Sequence, residues 1–176
     1  MTKPTLATVW LDGCSGCHMS FIDMDERLLD IVAQADLVYS PLIDTKAFPD
    51  HVDFCLVEGA VSSEHDLEKI RMIRERTTTL ISFGDCAITA NVPGMRNPIG
   101  VQPLLERAYI ENVSFRPGIP LEVVPRLLPM ASPVHRVVKV DVFLPGCPPS
   151  ADLIYQSLVD LLEGRTPDTR AARFGR

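Results

Sequence analysis

The sequence has no apolar run of the ~18 residues that a membrane-spanning helix requires, so no membrane span is expected. It has no basic stripe, and its formal net charge is −6; both argue against a nucleic-acid partner. The opening residues, MTKPTLATVWLDG, carry neither the apolar core and small-residue cleavage site of a signal peptide nor a twin arginine. A cytoplasmic location is therefore expected, although export on a partner's signal would leave no trace here. There is no internal repeat and no low-complexity segment. No Ser/Thr/Gly-rich phosphate loop follows the first apolar run, where the chain instead reads DGCSGCH. That speaks against an FMN carrier of the flavodoxin type.

What is present suits one compact domain, residues 1–176, with 46% hydrophobic residues to build a core. Residues 5–11, TLATVWL, form a short apolar run rich in β-formers and predict a strand. Residues 36–40, 53–57, 78–83 and 138–144 predict four more. From Ser20 the period changes to a helical one. Phe21, Met24, Leu28, Ile31 and Val32 share one face, and Asp23, Asp25, Glu26 and Asp30 the other. Ser63 and Asp66 make a capping pair for a helix whose buried stripe is Leu67, Ile70 and Ile73. A last helix is expected over Ser150–Glu163, ended by Gly164 and Pro167. Strands alternating with helices predict an α/β fold of flavodoxin-like winding, with a mostly parallel five-stranded sheet flanked by helices. Residues 87–137 hold Pro93, Pro98, Pro103, Pro117, Pro120, Pro125, Pro129 and Pro133. A long Pro-rich irregular region is expected there, and a loop of that length inside a compact domain is usually functional or a binding surface. Among its apolar residues are Leu104, Ile110, Val113, Phe115, Ile119 and Leu121. A polar, basic tail covers about 165–176.

Five cysteines, an odd number, point away from a disulfide framework and toward metal or redox chemistry. Cys14 and Cys17 follow the first predicted strand, Cys86 the fourth and Cys147 the fifth. Ligands of open parallel sheets bind at the carboxyl ends of strands, so these four cysteines should gather on one edge. Gly13, Gly16, Gly84 and Gly146 flank them and allow close backbone approach. Pro145, Pro148 and Pro149 stiffen the last loop. Four thiolates in one place need a cation, either zinc or an iron–sulfur cluster. One CxxC pair plus two isolated cysteines suits a [4Fe–4S] cubane better than zinc. A thioredoxin-type dithiol would explain the CxxC but not Cys86 and Cys147. Cys55, in the middle of a predicted strand, reads as a core thiol. No general acid or nucleophile stands out. His18 reads as a partner-facing or surface residue, His51, His65 and His135 as solvated or structural, and Asp12 and Asp85 as turn residues.

Four motifs in order, VWLDGCSGCHMSFID, LVEGAVSS, SFGDCAITANVPGMRNP and FLPGCPPSADLIYQSL, resemble the small subunit of [NiFe] hydrogenases, and in particular the soluble bidirectional, NAD-reducing group. The likeness spans Val9 to about Leu162. It implies that Cys14, Cys17, Cys86 and Cys147 ligate the [4Fe–4S] cluster proximal to the nickel–iron site. Glu58 matches an acidic position near that cluster, either a hydrogen-bonded buried carboxylate or part of a proton path. The large subunit would hold the nickel–iron centre, and diaphorase subunits would hold FMN and reduce NAD⁺. Membrane-bound and periplasmic relatives carry two further clusters in a longer small subunit, for which this chain has no spare cysteines. The related subunit of respiratory complex I has adjacent cysteines where this chain has CxxC. A cluster-bearing subunit of a quinone-reductase-like or other hydrogenase-type complex is the alternative that the resemblance leaves open.

Overall fold

The computed structural model describes residues 3–170 and 172–175. Five strands form one sheet: β1 (Thr5–Trp10), β2 (Asp36–Tyr39), β3 (Val52–Glu58), β5 (Thr77–Phe83) and β7 (Val142–Leu144). Two more, β4 (Val61–Ser63) and β6 (Leu127–Ser132), pair antiparallel in a separate ribbon. The helices are α1 (Gly16–Ile22), α2 (Arg27–Gln34), α3 (Glu64–Glu75), α4 (Asp85–Thr89), α5 (Asn91–Gly94), α6 (Val101–Glu106) and α7 (Ala151–Leu162). The main sheet runs in the order β2-β1-β3-β5-β7, and every pairing in it is parallel. The order reverses beside β1, so crossovers leave on both faces and helices cover both.

The two-residue strand period divides the core. Leu6, Leu56, Ile81 and Phe83 face one layer, packed with Phe21, Met24, Ile31, Ile154 and Leu158 from α1, α2, α7 and the loop between α1 and α2. Ala7, Val9, Cys55, Val57 and Leu80 face the other, under Ile70 and Ile73 of α3. Cys55 is the expected core thiol, and burial pushes its pKa up to about 12. The capping box at Ser63 and Asp66 forms, with each residue's side chain bonded to the other's backbone N–H. Ser150 caps α7 through the N–H of Leu153.

The structure corrects the expected elements in three places. The helical stretch from Ser20 is two helices, not one. α1 begins earlier, inside the CxxC, and Asp25 adopts φ +51 between α1 and α2. The turn rotates the second helix, so that Val32, expected on the buried face, is 43% exposed. The last strand covers only Val142–Leu144. Before it, the Asp141 carboxylate accepts the N–H of Leu80 that a strand backbone would have taken, while Val138 and Val140 pack on the core without pairing. Finally, the Pro-rich region is irregular only in part. It contains α5, α6, a π-turn over Arg107–Glu111, β6 and a 3₁₀ turn over Val134–Arg136. β6 tolerates Pro129 because its ribbon has only two strands and leaves an edge free. Leu104, Val113 and Ile119 are half-buried there, whereas Ile110, Phe115 and Leu121 are exposed.

Asp141 ties the sheet edge together, accepting from Leu80 N–H at 2.9 Å and Arg74 Nη1 at 2.6 Å. Burial raises its pKa, but the Leu80 amide, Arg74 and Lys139 outweigh that and hold the carboxyl below the usual range. A carboxyl with a lowered folded pKa stabilises the fold above its unfolded pKa, and the contribution is lost as pH falls through the folded one. Asp141→Asn should therefore be less stable than the parent at neutral pH. The gap should begin to narrow as the pH drops below about 4 and vanish only below the lowered folded pKa, which denaturant unfolding across a pH series measures.

Candidate metal centre

Four of the five cysteines meet at the carboxyl edge of the sheet. Cys14 lies in the loop after β1, and Cys17 is the second residue of α1. Cys86 is the second residue of α4, directly after β5, and Cys147 follows β7. They line one small depression together with Gly16, Glu58, Asp85, Gly146 and Pro148. Cys17 and Cys86 are buried, Cys14 and Cys147 are exposed, and all four are free thiols. Cys55 stays apart in the interior of β3, as expected.

The loops are shaped for close approach. Gly84 has φ +84, and a Cβ there would fall 2.2 Å from the Cys17 sulfur. Gly146 has φ +141, and a Cβ would meet the Pro149 backbone nitrogen at 2.5 Å. Only glycine fits both the dihedral and the space at these two points. Asp85 joins the two loops. Its buried carboxylate accepts the Gly146 N–H at 2.7 Å, and its own N–H donates to the Gly146 carbonyl at 2.9 Å. Its second oxygen accepts the N–H of Gly175, which brings the C-terminal tail back to the site. Asp85 is therefore a clamp between the Cys86 and Cys147 loops, a larger role than the turn residue expected. Asp12 does act through its backbone, exchanging two hydrogen bonds with Ala60. Ser20 Oγ holds the Pro149 carbonyl at 2.5 Å and ties α1 to the last cysteine loop.

Glu58 ends β3 with its carboxylate buried beneath the CxxC. It accepts the N–H of Cys17 at 3.3 Å and of His18 at 3.0 Å. These are first-turn amides of α1 that have no partner inside the helix, and Ser15 supplies no side-chain cap. The same carboxylate bonds His18 Nδ1. His18 Nε2 meets Thr8 Oγ1 at 3.0 Å, and Thr8 meets Ser40 Oγ at 2.7 Å. His18 is 3% exposed and packs edge-on to Phe83. The surface or partner-facing reading of His18 is thus corrected: a buried carboxylate needs donors, and His18 is one of them. The alternation of β1, which turns Thr8 inward, was the available signal.

Electrostatics sets the chemistry of the group. Burial, then the negative charge of Glu58, then the other three cysteines push the Cys17 thiol far up. Burial raises the Cys86 thiol in the same way, partly offset by the Val92 N–H. The pocket therefore resists becoming four thiolates unless a cationic group joins them. Among the described residues no three His, Cys, Asp or Glu side chains stand together closely enough to hold a metal ion. The four sulfurs nonetheless line one common hollow. Two donors lie ready at sulfur: Asn91 Nδ2 at 3.5 Å from Cys147 Sγ, and the Val92 N–H toward Cys86. The sequence reading missed both, because it treated that segment as irregular.

Removing Glu58 strips the acceptor from two buried amides and one imidazole. At about 1–3 kcal/mol per orphaned group, Glu58→Ala should cost about 3 kcal/mol or more in denaturant unfolding. Glu58→Gln, which keeps an acceptor oxygen, should cost less.

Comparisons with known proteins bear on the family and the fold. The family model described as NADH ubiquinone oxidoreductase, 20 Kd subunit, matches residues 14–161. The delta subunit of the NAD-reducing hydrogenase HoxS of Cupriavidus necator is 42% identical, over 94% of this chain and 82% of that protein. A vhu subunit of the F420-non-reducing hydrogenase of Methanocaldococcus jannaschii is 37% identical over 90% of this chain, but only 56% of that protein is covered. Among solved structures, a chain of NAD⁺-reducing [NiFe]-hydrogenase in the H2-reduced state superposes with TM-score 0.90 at 40% identity, covering 94% of each chain. A chain of the [NiFeSe]-hydrogenase of Dm. baculatum shares the fold, with TM-score 0.61 at 16% identity. By sequence and fold, this chain belongs to the NADH ubiquinone oxidoreductase 20 Kd subunit family and is a homologue of the small subunit of NAD-reducing [NiFe] hydrogenase.

Proposed function

We propose that the chain is the electron-transfer small subunit of a cytoplasmic NAD-reducing [NiFe] hydrogenase, with residues 1–176 forming one iron–sulfur domain. Cys14, Cys17, Cys86 and Cys147 would hold a [4Fe–4S] cluster. The observation that carries this reading is the meeting of these four thiols, from three strand ends, around one hollow beside amide donors. When bound, the cluster supplies a one-electron relay between the nickel–iron site of the large subunit and the diaphorase subunits. There FMN would pass electrons to NAD⁺, for the overall reaction H2 + NAD⁺ = NADH + H⁺.

The chain's own residues hold, orient and shield. Gly84 and Gly146 let the sulfurs approach, and Asp85 fixes the Cys86 and Cys147 loops to each other. Glu58 orders the first turn of α1, and with it Cys17. One side of the hollow is shut by the core and the other opens at Cys14 and Cys147. Trp10, Met19, Val92 and Met95, on or beside the cysteine-bearing elements, are 45%, 56%, 58% and 72% exposed. Large apolar residues exposed around a redox site support an obligate partner there, which we take to be the large subunit. Among the described residues no helix is long and apolar enough to cross a membrane.

Zinc on the same four cysteines is the weaker reading, since one CxxC pair with two isolated cysteines departs from the paired spacing usual in structural zinc sites. A quinone-reductase-like assembly remains the alternative on the same scaffold, and nickel in the copurified large partner separates the two. In the assembled complex, Cys86→Ala should abolish hydrogen-dependent NAD⁺ reduction while nickel stays in the partner. Undiminished activity in that variant would overturn the relay role.

A further inference from the structure

We propose that Asn91 tunes the reduction potential of the cluster by donating a side-chain hydrogen bond to the sulfur of Cys147. The inference rests on the cluster reading above and adds to it a residue that ligates nothing. The Asn91 carboxamide nitrogen lies 3.5 Å from Cys147 Sγ, within the range of N–H···S contacts.

The segment is built to keep it there. Ala90, buried and at φ +63, turns the chain between α4 and α5 so that Asn91 comes back over the cysteine edge. Thr89 Oγ1 donates to the Asp85 carbonyl at 2.8 Å and accepts the Asn91 N–H at 3.3 Å. The turn that follows α5 is pinned to the β4–β6 ribbon. Asn97 makes a two-way pair with the Ala131 backbone at 2.9 and 2.8 Å. Arg96 Nη2 donates to the Ser62 and Leu128 carbonyls at 3.1 and 3.0 Å. Its Nη1 is buried without a partner among the described residues. The ribbon thus serves as the anchor that aims one carboxamide.

A donor at a ligand sulfur disperses negative charge. The reduced cluster is the more negative form and gains more from it, so the bond raises the potential. The side chain is exposed in the isolated chain. Its replacement should therefore leave the fold intact, and the readout isolates the hydrogen bond.

The test is an equilibrium redox titration of the assembled complex, following the electron paramagnetic resonance signal of the reduced cluster. Asn91→Ala should lower the reduced-to-oxidised ratio at a fixed solution potential several-fold. Asn91→Asp, which sets a carboxylate against the sulfur, should lower it further. A tenfold fall reads as about 59 mV for a one-electron couple. Asn91→Gln, which keeps a donor, should lie between Asn91→Ala and the parent. Equal midpoints in the parent, Asn91→Ala and Asn91→Asp would overturn the inference while leaving the cluster in place. A parent complex with no reducible iron–sulfur signal would instead overturn the cluster reading, and this inference with it.

Discussion

Four thiols held around one hollow repel one another as soon as they ionise, and the rest of the structure is arranged about that repulsion. Burial and the neighbouring carboxylate of Glu58 make ionisation of Cys17 harder still. Among the described residues, no lysine or arginine side chain lines the depression to offset the charge. On the proposed reading, an iron–sulfur cluster would turn this unfavourable set into a stable one. Its binding free energy then becomes part of the folding free energy. The hollow would thus be a preformed ligand set, held by the fold rather than by the thiols themselves.

The hold comes from layers beneath the sulfurs. The parallel sheet delivers three loops to one edge, and the two-sided core under β1, β3 and β5 makes that edge rigid. Glu58 and Asp85 then do complementary work. Glu58 fixes the start of α1 from below, and Asp85 locks the α4 loop to the β7 loop across the top. Both are buried acids satisfied by backbone N–H groups, and Glu58 also by the His18 ring. The Thr8 and Ser40 hydroxyls extend the Glu58–His18 contact into the sheet. His18 is thereby oriented as part of the scaffold.

Much of this was legible in the sequence, for a physical reason: strand alternation and strand–loop–helix junctions are local signals. The positions of Cys14, Cys17, Cys86 and Cys147 after predicted strands were enough to gather them on one edge, because a parallel sheet has only one carboxyl edge. The capping box at Ser63 and the cap at Ser150 were readable for the same reason. What could not be read depended on tertiary partners. His18 looked like a surface residue because its partners, Glu58 and Thr8, belong to other strands. The break at Asp25 has no proline or glycine to announce it. The β4–β6 ribbon pairs segments far apart in sequence, and its prolines masked one of them. Asn91 lay inside that same masked region, so its approach to Cys147 emerged only with the fold.

The central claim is that the four cysteines form the ligand set of one cubane. Iron and acid-labile sulfide per chain, measured on protein purified without oxygen, address it most directly. The account predicts about four of each, falling together when any of the four cysteines is replaced, and unchanged when Cys55 is. Zinc without sulfide, or iron that survives the loss of Cys147, would contradict it.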